Sequence, residues 1–251
     1  MDRSENWQKR SKTYERIKQG SPSLEWTSGL EHRLNLSKKY INFKNKKILD
    51  VGCGIGMFLS QFKELGSKVY GIDIDKEKIQ IAKNKFKNVF LAPSEKLPFR
   101  KDTFDIIWLH EVIEHVDNDV ETMKECFRVL KPGGKIVIFA PNRLWLFETH
   151  GIYLGDKYIF GNIPLVTYLP NKIYNKLTPH VRNYTRKKLL NLINGVSYKK
   201  VYLKGVFPGF DKLSSKIQIL GKLIQRIFRV LEKTPLNRFG ISQFIILEKL
   251  A

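Results

Sequence analysis

Cysteine is nearly absent from this chain. Its 251 residues hold two, Cys53 and Cys126, too few to staple a small secreted scaffold. Neither has a second cysteine or a histidine at the spacing of a zinc site. Long apolar runs are missing as well. No uninterrupted stretch approaches the roughly 18–20 residues of a membrane span, and the opening MDRSENWQKR lacks the apolar segment of a signal peptide. There is no internal repeat and no low-complexity tract. What remains is 42% hydrophobic, enough apolar material to bury a core. These features predict a soluble, cytoplasmic, globular protein: one large domain, or one domain with an elaboration.

Acidic residues are scarce beside basic ones, 24 against 45, for a formal net charge of +21. The imbalance is local. Residues 1–47 carry 12 basic and 5 acidic groups, residues 48–150 carry 15 of each, and residues 151–251 carry 18 and 4. A neutral middle with basic ends attracts anions: nucleic acid, anionic lipid headgroups or phosphorylated metabolites. Lysine supplies 33 of the 45, and lysine-rich usage also follows from genome composition or a hot habitat.

Patterning predicts an N-terminal helical extension over 1–45, with helices at 5–18 and 24–40, ahead of a domain over 46–251. Within the domain, strand-like runs (KKILDVG, VYGIDI, NVFLA, FDIIWL, KIVIFA) alternate with helical ones at 75–86 and after Asp117 and Asp119. KPGG reads as a turn into KIVIFA. Such alternation implies parallel strands joined by crossover helices, an α/β fold. After Pro141 the pattern breaks. Residues 141–180 are irregular and aromatic-rich, which in a compact domain reads as a lid. A helix from Thr185, the strand VSYKKVYL, an amphipathic helix over 211–232 and a last strand over 240–249 complete the chain.

The most informative segment is ILDVGCGIGMF, residues 48–58. A buried strand enters Gly52, Gly54 and Gly56, and a helix follows. Glycines there let the backbone approach a ligand, and the helix N-terminus presents free N–H groups. Seventeen residues past Gly56 stands Asp73, at a strand end where a carboxylate can accept both hydroxyls of a ribose. The pair predicts a nucleoside-containing ligand. A dinucleotide-dependent oxidoreductase would carry G-x-G-x-x-G, whereas position 57 is Met. A non-catalytic nucleoside-binding module is a further reading.

The order of motifs resembles class I S-adenosylmethionine-dependent methyltransferases, of the type 11 and ubiquinone O-methyltransferase-like kind, over about residues 45–140. ILDVGCGIG, YGIDID, SEKLPF, FDIIWLHEVIEHV and LKPGGKIVI occur in register. The resemblance implies a Rossmann-like sheet of seven mostly parallel strands, the last antiparallel, with helices on both faces. It implies S-adenosyl-L-methionine as cofactor. Asp50 and the glycine backbone (Gly52, Gly54, Gly56) would surround its methionine part, Asp73 the ribose, and Ile74, Ser94, Glu95 and Leu109 the remainder. One departure is Pro93, where the family often has Asp.

The methyl acceptor is less legible. FDIIWL runs into Leu109-His110-Glu111-Val112, not D/N-P-P-Y/F, and no cysteine stands where a pyrimidine C5 nucleophile is needed. Oxygen or an activated carbon remains. If HEVIEH (110–115) forms a helical turn, Glu111, Glu114 and His115 share one side and could hold a divalent cation, Mg or Zn. This E-x-x-E-H resembles that of ubiquinone-biosynthesis O-methyltransferases and of small-RNA 3′-end 2′-O-methyltransferases. In the latter a further histidine, here His180 in HVRNYTR, completes the site. Otherwise Glu114 and His115 brace the next helix, Thr185 caps another, and His110 or His115 serves as base. His150 in the lid could also reach an acceptor, and His32 reads as an exposed helix residue.

Trp145, Phe147, Tyr153, Tyr158, Phe160 and Tyr168 crowd the lid. They suit a quinone, a lipid tail or a stacked base, or form a small satellite core. The 211–232 helix either packs on the sheet or lies on an anionic membrane. Together these features favour methyl transfer to oxygen of a small or lipid-linked acceptor, quinone-, sugar- or lipid-like, at the membrane periphery. RNA 2′-O-methylation, with nucleic acid held by the basic ends, is the alternative.

Overall fold

The computed structural model describes residues 27–211, 214 and 217–251. The helix expected over 5–18, the start of the one over 24–40 and Leu213 lie outside them. Helix α1 (Ser28–Lys38) starts where the Thr27 side chain accepts the Leu30 N–H. The strands β1 (Lys47–Val51), β2 (Lys68–Asp73), β3 (Val89–Leu91) and β4 (Phe104–His110) follow, separated by α2 (Met57–Glu64) and α3 (Lys76–Lys83). Asp75 caps α3, accepting from Glu77 and Lys78. Asn118 caps α4 (Asp119–Val129), accepting from Glu121. A side-chain oxygen at each start satisfies donors the helix cannot pair itself.

Strand β5 (Leu130–Pro141) completes the first half, and β10 (Tyr198–Val206) and β11 (Ser242–Lys249) the second. All seven long strands form one sheet in the order β10-β11-β5-β4-β1-β2-β3. Neighbours from β3 to β5 run parallel, and β11 runs antiparallel to both β5 and β10. This is the Rossmann-like α/β sheet expected from the sequence. The KPGG turn is absorbed into β5. Phe104 pairs with Leu130 and Ile106 with Lys135, so the extra residues bulge out between them.

Alternate side chains enter two cores. Leu49, Ile107 and Ile138 go to one face with Met123 and Phe127 of α4. Ile48, Trp108, Val137 and Phe139 go to the other with Leu34 of α1 and Phe62 of α2. Both faces are covered, so the central strands read as continuous apolar runs rather than alternating ones.

The segment 141–180 carries short strands, β6 (Phe147–Glu148) with β9 (Ile163–Pro164) and β7 (Ile152–Leu154) with β8 (Lys157–Ile159), then α5 (Asn171–Leu177). Ile152, Val166 and Tyr174 bury a small core of its own; the six aromatics expected to form one are not in it, and Phe160 and Tyr168 are exposed. Helix α6 (Arg186–Asn191) starts at Thr185, whose side chain accepts from Lys188. Helix α7 (Gln218–Leu231) joins β10 to β11. No helix among the described residues is long and apolar enough to cross a membrane. His32 corrects one expectation: it is not an exposed helix residue, because its Nε2 lies 2.7 Å from the Glu232 carboxylate, with side-chain exposure of 20%.

Trp108 is fully buried against Phe58, Phe62 and Phe139. Trp108→Ala is expected to cost about 3–5 kcal/mol, read as a lower urea midpoint. An unchanged midpoint would contradict this packing.

Candidate functional site

Parallel pairing sets the carboxyl ends of β1, β2, β4 and β5 side by side. Val51 is level with Ile72 and Leu109, and Leu109 with Ile138. The loop after β1 therefore sits beside the end of β2. Gly52, Gly54 and Gly56 all take positive φ, 74°, 54° and 87°. A Cβ on Gly52 would lie 2.4 Å from Val112 Cγ2, so only glycine fits there. The N–H groups of Gly52 and Cys53 both donate to the Ile72 carbonyl at 2.8 Å.

Asp73 ends β2. Its carboxylate accepts from Gly54 N at 2.8 Å and Asp75 N at 2.9 Å. Burial raises its pKa above the usual carboxylate value despite those two bonds. Burial, with Asp73 nearby, also raises Asp50 well above it. Two acids with so little compensation suit a ligand that brings positive charge. Ile74, next in sequence, is 51% exposed, an apolar surface beside the loop. The other expected cofactor residues are placed differently. Leu109 is fully buried in the core. Ser94 bonds Thr122 at 2.9 Å. Glu95 accepts from the backbone of Asp117 and Asn118 at 2.8 and 3.1 Å and so braces the start of α4.

The second half of the site lies at the end of β4. HEVIEH does not form the helix turn that would align its acids. Glu111 adopts φ 54°, and a single turn closes from Val112 O to His115 N at 2.9 Å. Arg33 reaches in from α1. Its Nη1 lies 2.6 Å from His110 Nε2 and 2.8 Å from Glu111 Oε1, and its Nη2 donates to Ser242 Oγ at 2.8 Å. Ser242 Oγ in turn donates to Glu111 Oε1 at 2.5 Å. This removes His110 as a base, since the nitrogen that would take a proton accepts from a guanidinium. Burial, then Arg33, pushes its pKa down to about 3. Burial alone would raise Glu111, but Arg33 and His110 outweigh it and hold it at about 2.

Glu114 is 1% exposed, and neither carboxylate oxygen has a hydrogen-bond partner. Burial and the Glu111 charge raise its pKa well above the usual value. His115 and His150 stand beside it: one ligand atom from each of Glu114, His115 and His150 falls within 4.8 Å of the others. Glu111 and His180, expected in this cluster, are not part of it. Arg33 and Ser242 hold Glu111, and the His180 Nε2 lies 3.0 Å from the His150 carbonyl oxygen. HVRNYTR braces the turn instead. Arg182 donates to the carbonyls of Val116 and Asp117, and the Tyr184 hydroxyl lies 3.0 Å from the Ile113 carbonyl oxygen and 2.9 Å from the Asp119 carboxylate.

His150 gains what the sequence did not show. Its Nδ1 lies 3.1 Å from Glu148 Oε1, whose other oxygen accepts the Tyr174 hydroxyl at 2.7 Å. The carboxylate fixes the orientation of the imidazole. Arg33, Ser242, Glu148 and Tyr174 escaped sequence reading because they come from distant elements. The E-x-H spacing of Glu148 and His150 was the one local signal.

Residues 49–138 match the family described as "Methyltransferase domain". That segment, which holds the glycine loop and Asp73, is similar to methyltransferase domains. Ubiquinone biosynthesis O-methyltransferase of Coxiella burnetii is 32% identical over 142 residues, covering 54% of this chain and 60% of that protein. The mitochondrial ubiquinone biosynthesis O-methyltransferase of Rattus norvegicus is 33% identical over 150 residues, 53% of this chain and 43% of that one. The chain thus spans about 60% or less of these curated relatives' lengths. An S-adenosylmethionine dependent methyltransferase structure from Mesorhizobium loti shares the fold, with TM-score 0.59 at 18% identity over 86% of this chain and 96% of that one.

His110 makes the domain acid-sensitive. Its folded pKa of about 3 lies below the ordinary 6.5, so the unfolded chain takes the proton first. Its contribution is complete above the histidine range and is lost as pH falls from about 6.5 towards 3. Denaturant midpoints are expected to fall over that window, and less steeply in His110→Asn. Equal slopes in both proteins would remove the buried neutral imidazole.

Proposed function

We propose that this chain transfers a methyl group from S-adenosylmethionine to an oxygen of a small or lipid-linked, quinone-like acceptor. The observation that carries the cofactor half is the Asp73 carboxylate against the glycine loop, with Asp50 beside it. The residues fit that group: the two upward-shifted acids meet its positive charge, Asp73 accepts ribose hydroxyls, and Ile74 offers an apolar face to the base. When bound, S-adenosylmethionine supplies the electrophilic methyl.

The acceptor half rests on the lid. His150, oriented by Glu148, takes the proton of the attacking hydroxyl at Nε2. His115 stacks edge-on at 5.4 Å between ring centroids and fixes the opposite wall. Glu114 is buried beside the base, where burial and the Glu111 charge raise its pKa. The ubiquinone relatives support a ring-bearing acceptor; nothing in the fold or those relatives supports RNA.

A second arrangement has one observation behind it, the Glu114 carboxylate without a donor. A divalent cation would be held by Glu114, His115 and His150 and would polarise the acceptor hydroxyl.

Two measurements test these readings. Calorimetry with S-adenosylmethionine is expected to show Asp73→Ala weakening affinity about a hundredfold, the loss of two hydrogen bonds to a charged group. Unchanged affinity removes the ribose role. His150→Gln is expected to lower kcat by about 10²–10⁴-fold with cofactor affinity intact. Turnover that survives a chelator supports the base, and turnover abolished by it and restored by Mg or Zn supports the cation.

A further inference from the structure

Helix α7 has two faces, and among the described residues one of them is left exposed. Phe228 points inwards, with ring centroids 4.8 Å from Phe207 and 4.9 Å from Phe210. The opposite side exposes Ile219, Leu223, Ile227 and Val230, from 49% to 85%. Their spacing of four, four and three places them in one row along the helix. Of the apolar positions expected to face the body, Ile224, Phe228 and Leu231 are half-buried, whereas Ile217 and Leu220 are exposed and Leu213 lies outside the described residues. The helix is therefore apolar on both sides, and packing accounts for only one.

A second exposed row runs beside the first. Lys222 and Arg226 each precede an apolar residue of the row by one position and point outwards. An apolar stripe flanked by cations is the arrangement of a helix lying in a membrane interface. Charge decides between occupants. Two copies of the chain packed through this face would bring these cationic rows together, and like charges placed close repel. An anionic lipid surface meets the same cations with attraction. The surrounding segment, residues 151–251, is strongly basic.

The helix also sits beside the cleft. Glu232 at its end accepts from Phe207 N at 3.0 Å and pairs with His32 of α1 at 2.7 Å. Phe207 touches Trp145 of the lid, with ring centroids 6.1 Å apart. One residue earlier, Val206 is level with Ser242, which is level with Pro141 and bonded to Glu111. Helix α7 is thus tied to the same sheet edge as Ser242 and Glu111.

We propose that the exposed face of α7, the Ile219–Leu223–Ile227–Val230 row with Lys222 and Arg226 beside it, docks the protein on anionic lipid. This goes beyond the methyl-transfer reading and does not depend on it. The test is flotation of the full chain with vesicles of phosphatidylcholine alone or mixed with phosphatidylglycerol. The wild type is expected to float with the mixed vesicles and to be released by salt. Leu223→Glu with Ile227→Glu is expected to abolish flotation. Lys222→Gln and Arg226→Gln are each expected to weaken partitioning about fivefold. Thermal unfolding and S-adenosylmethionine affinity should stay unchanged in all of them, which separates this result from any failure of the methyltransferase reading. Wild type that remains in solution, or variants that float equally well, overturn the proposal. So does a wild-type dimer that Leu223→Glu converts to monomer, which would assign the face to a second copy.

Discussion

Parallel pairing is the constraint from which the site follows. Because β1 lies between β2 and β4 with matched registers, their carboxyl ends open on one edge. Every group with chemistry to offer is at that edge: the glycine loop, Asp73, the end of β4 and, through β11, Ser242. A register slip of one residue would turn Asp50 towards the opposite core. The two apolar cores hold that register, and the helices that fill them also close both faces of the sheet.

At this edge the charges are divided rather than pooled. Asp50 and Asp73 keep little cationic compensation, which suits a positively charged nucleoside. Glu111 has Arg33 and stays ionised. Glu114 has no donor, and burial beside the Glu111 charge raises its pKa. One acidic motif therefore contains a carboxylate of each kind, separated by a left-handed residue and a single turn. The partner that splits them comes from α1, so Arg33 ties that helix to the end of β4.

The lid has a double role. Its own small core around Tyr174 makes it a fixed structure, and the Tyr174 hydroxyl holds Glu148, which orients His150. Packing and the orientation of the imidazole are thus linked through one side chain. Beyond the lid, α7 is tied to the same edge by Glu232.

The sequence by itself determined the sheet, the cofactor loop and Asp73. Those signals are local: a glycine run after a buried strand, an acid at the end of the next, and apolar runs of fixed period. Backbone geometry reads them the same way wherever the motif occurs. It could not decide which histidines work. His110 looked like a base until Arg33, more than seventy residues away, was found on its nitrogen. His180 looked like a ligand until its ring was found against the His150 carbonyl. The roles of His150 and Glu114, and the bare face of α7, also depend on neighbours brought together only by folding. Burial and partner charge set a side chain's protonation and freedom, and neither is a property of the residue's position along the chain.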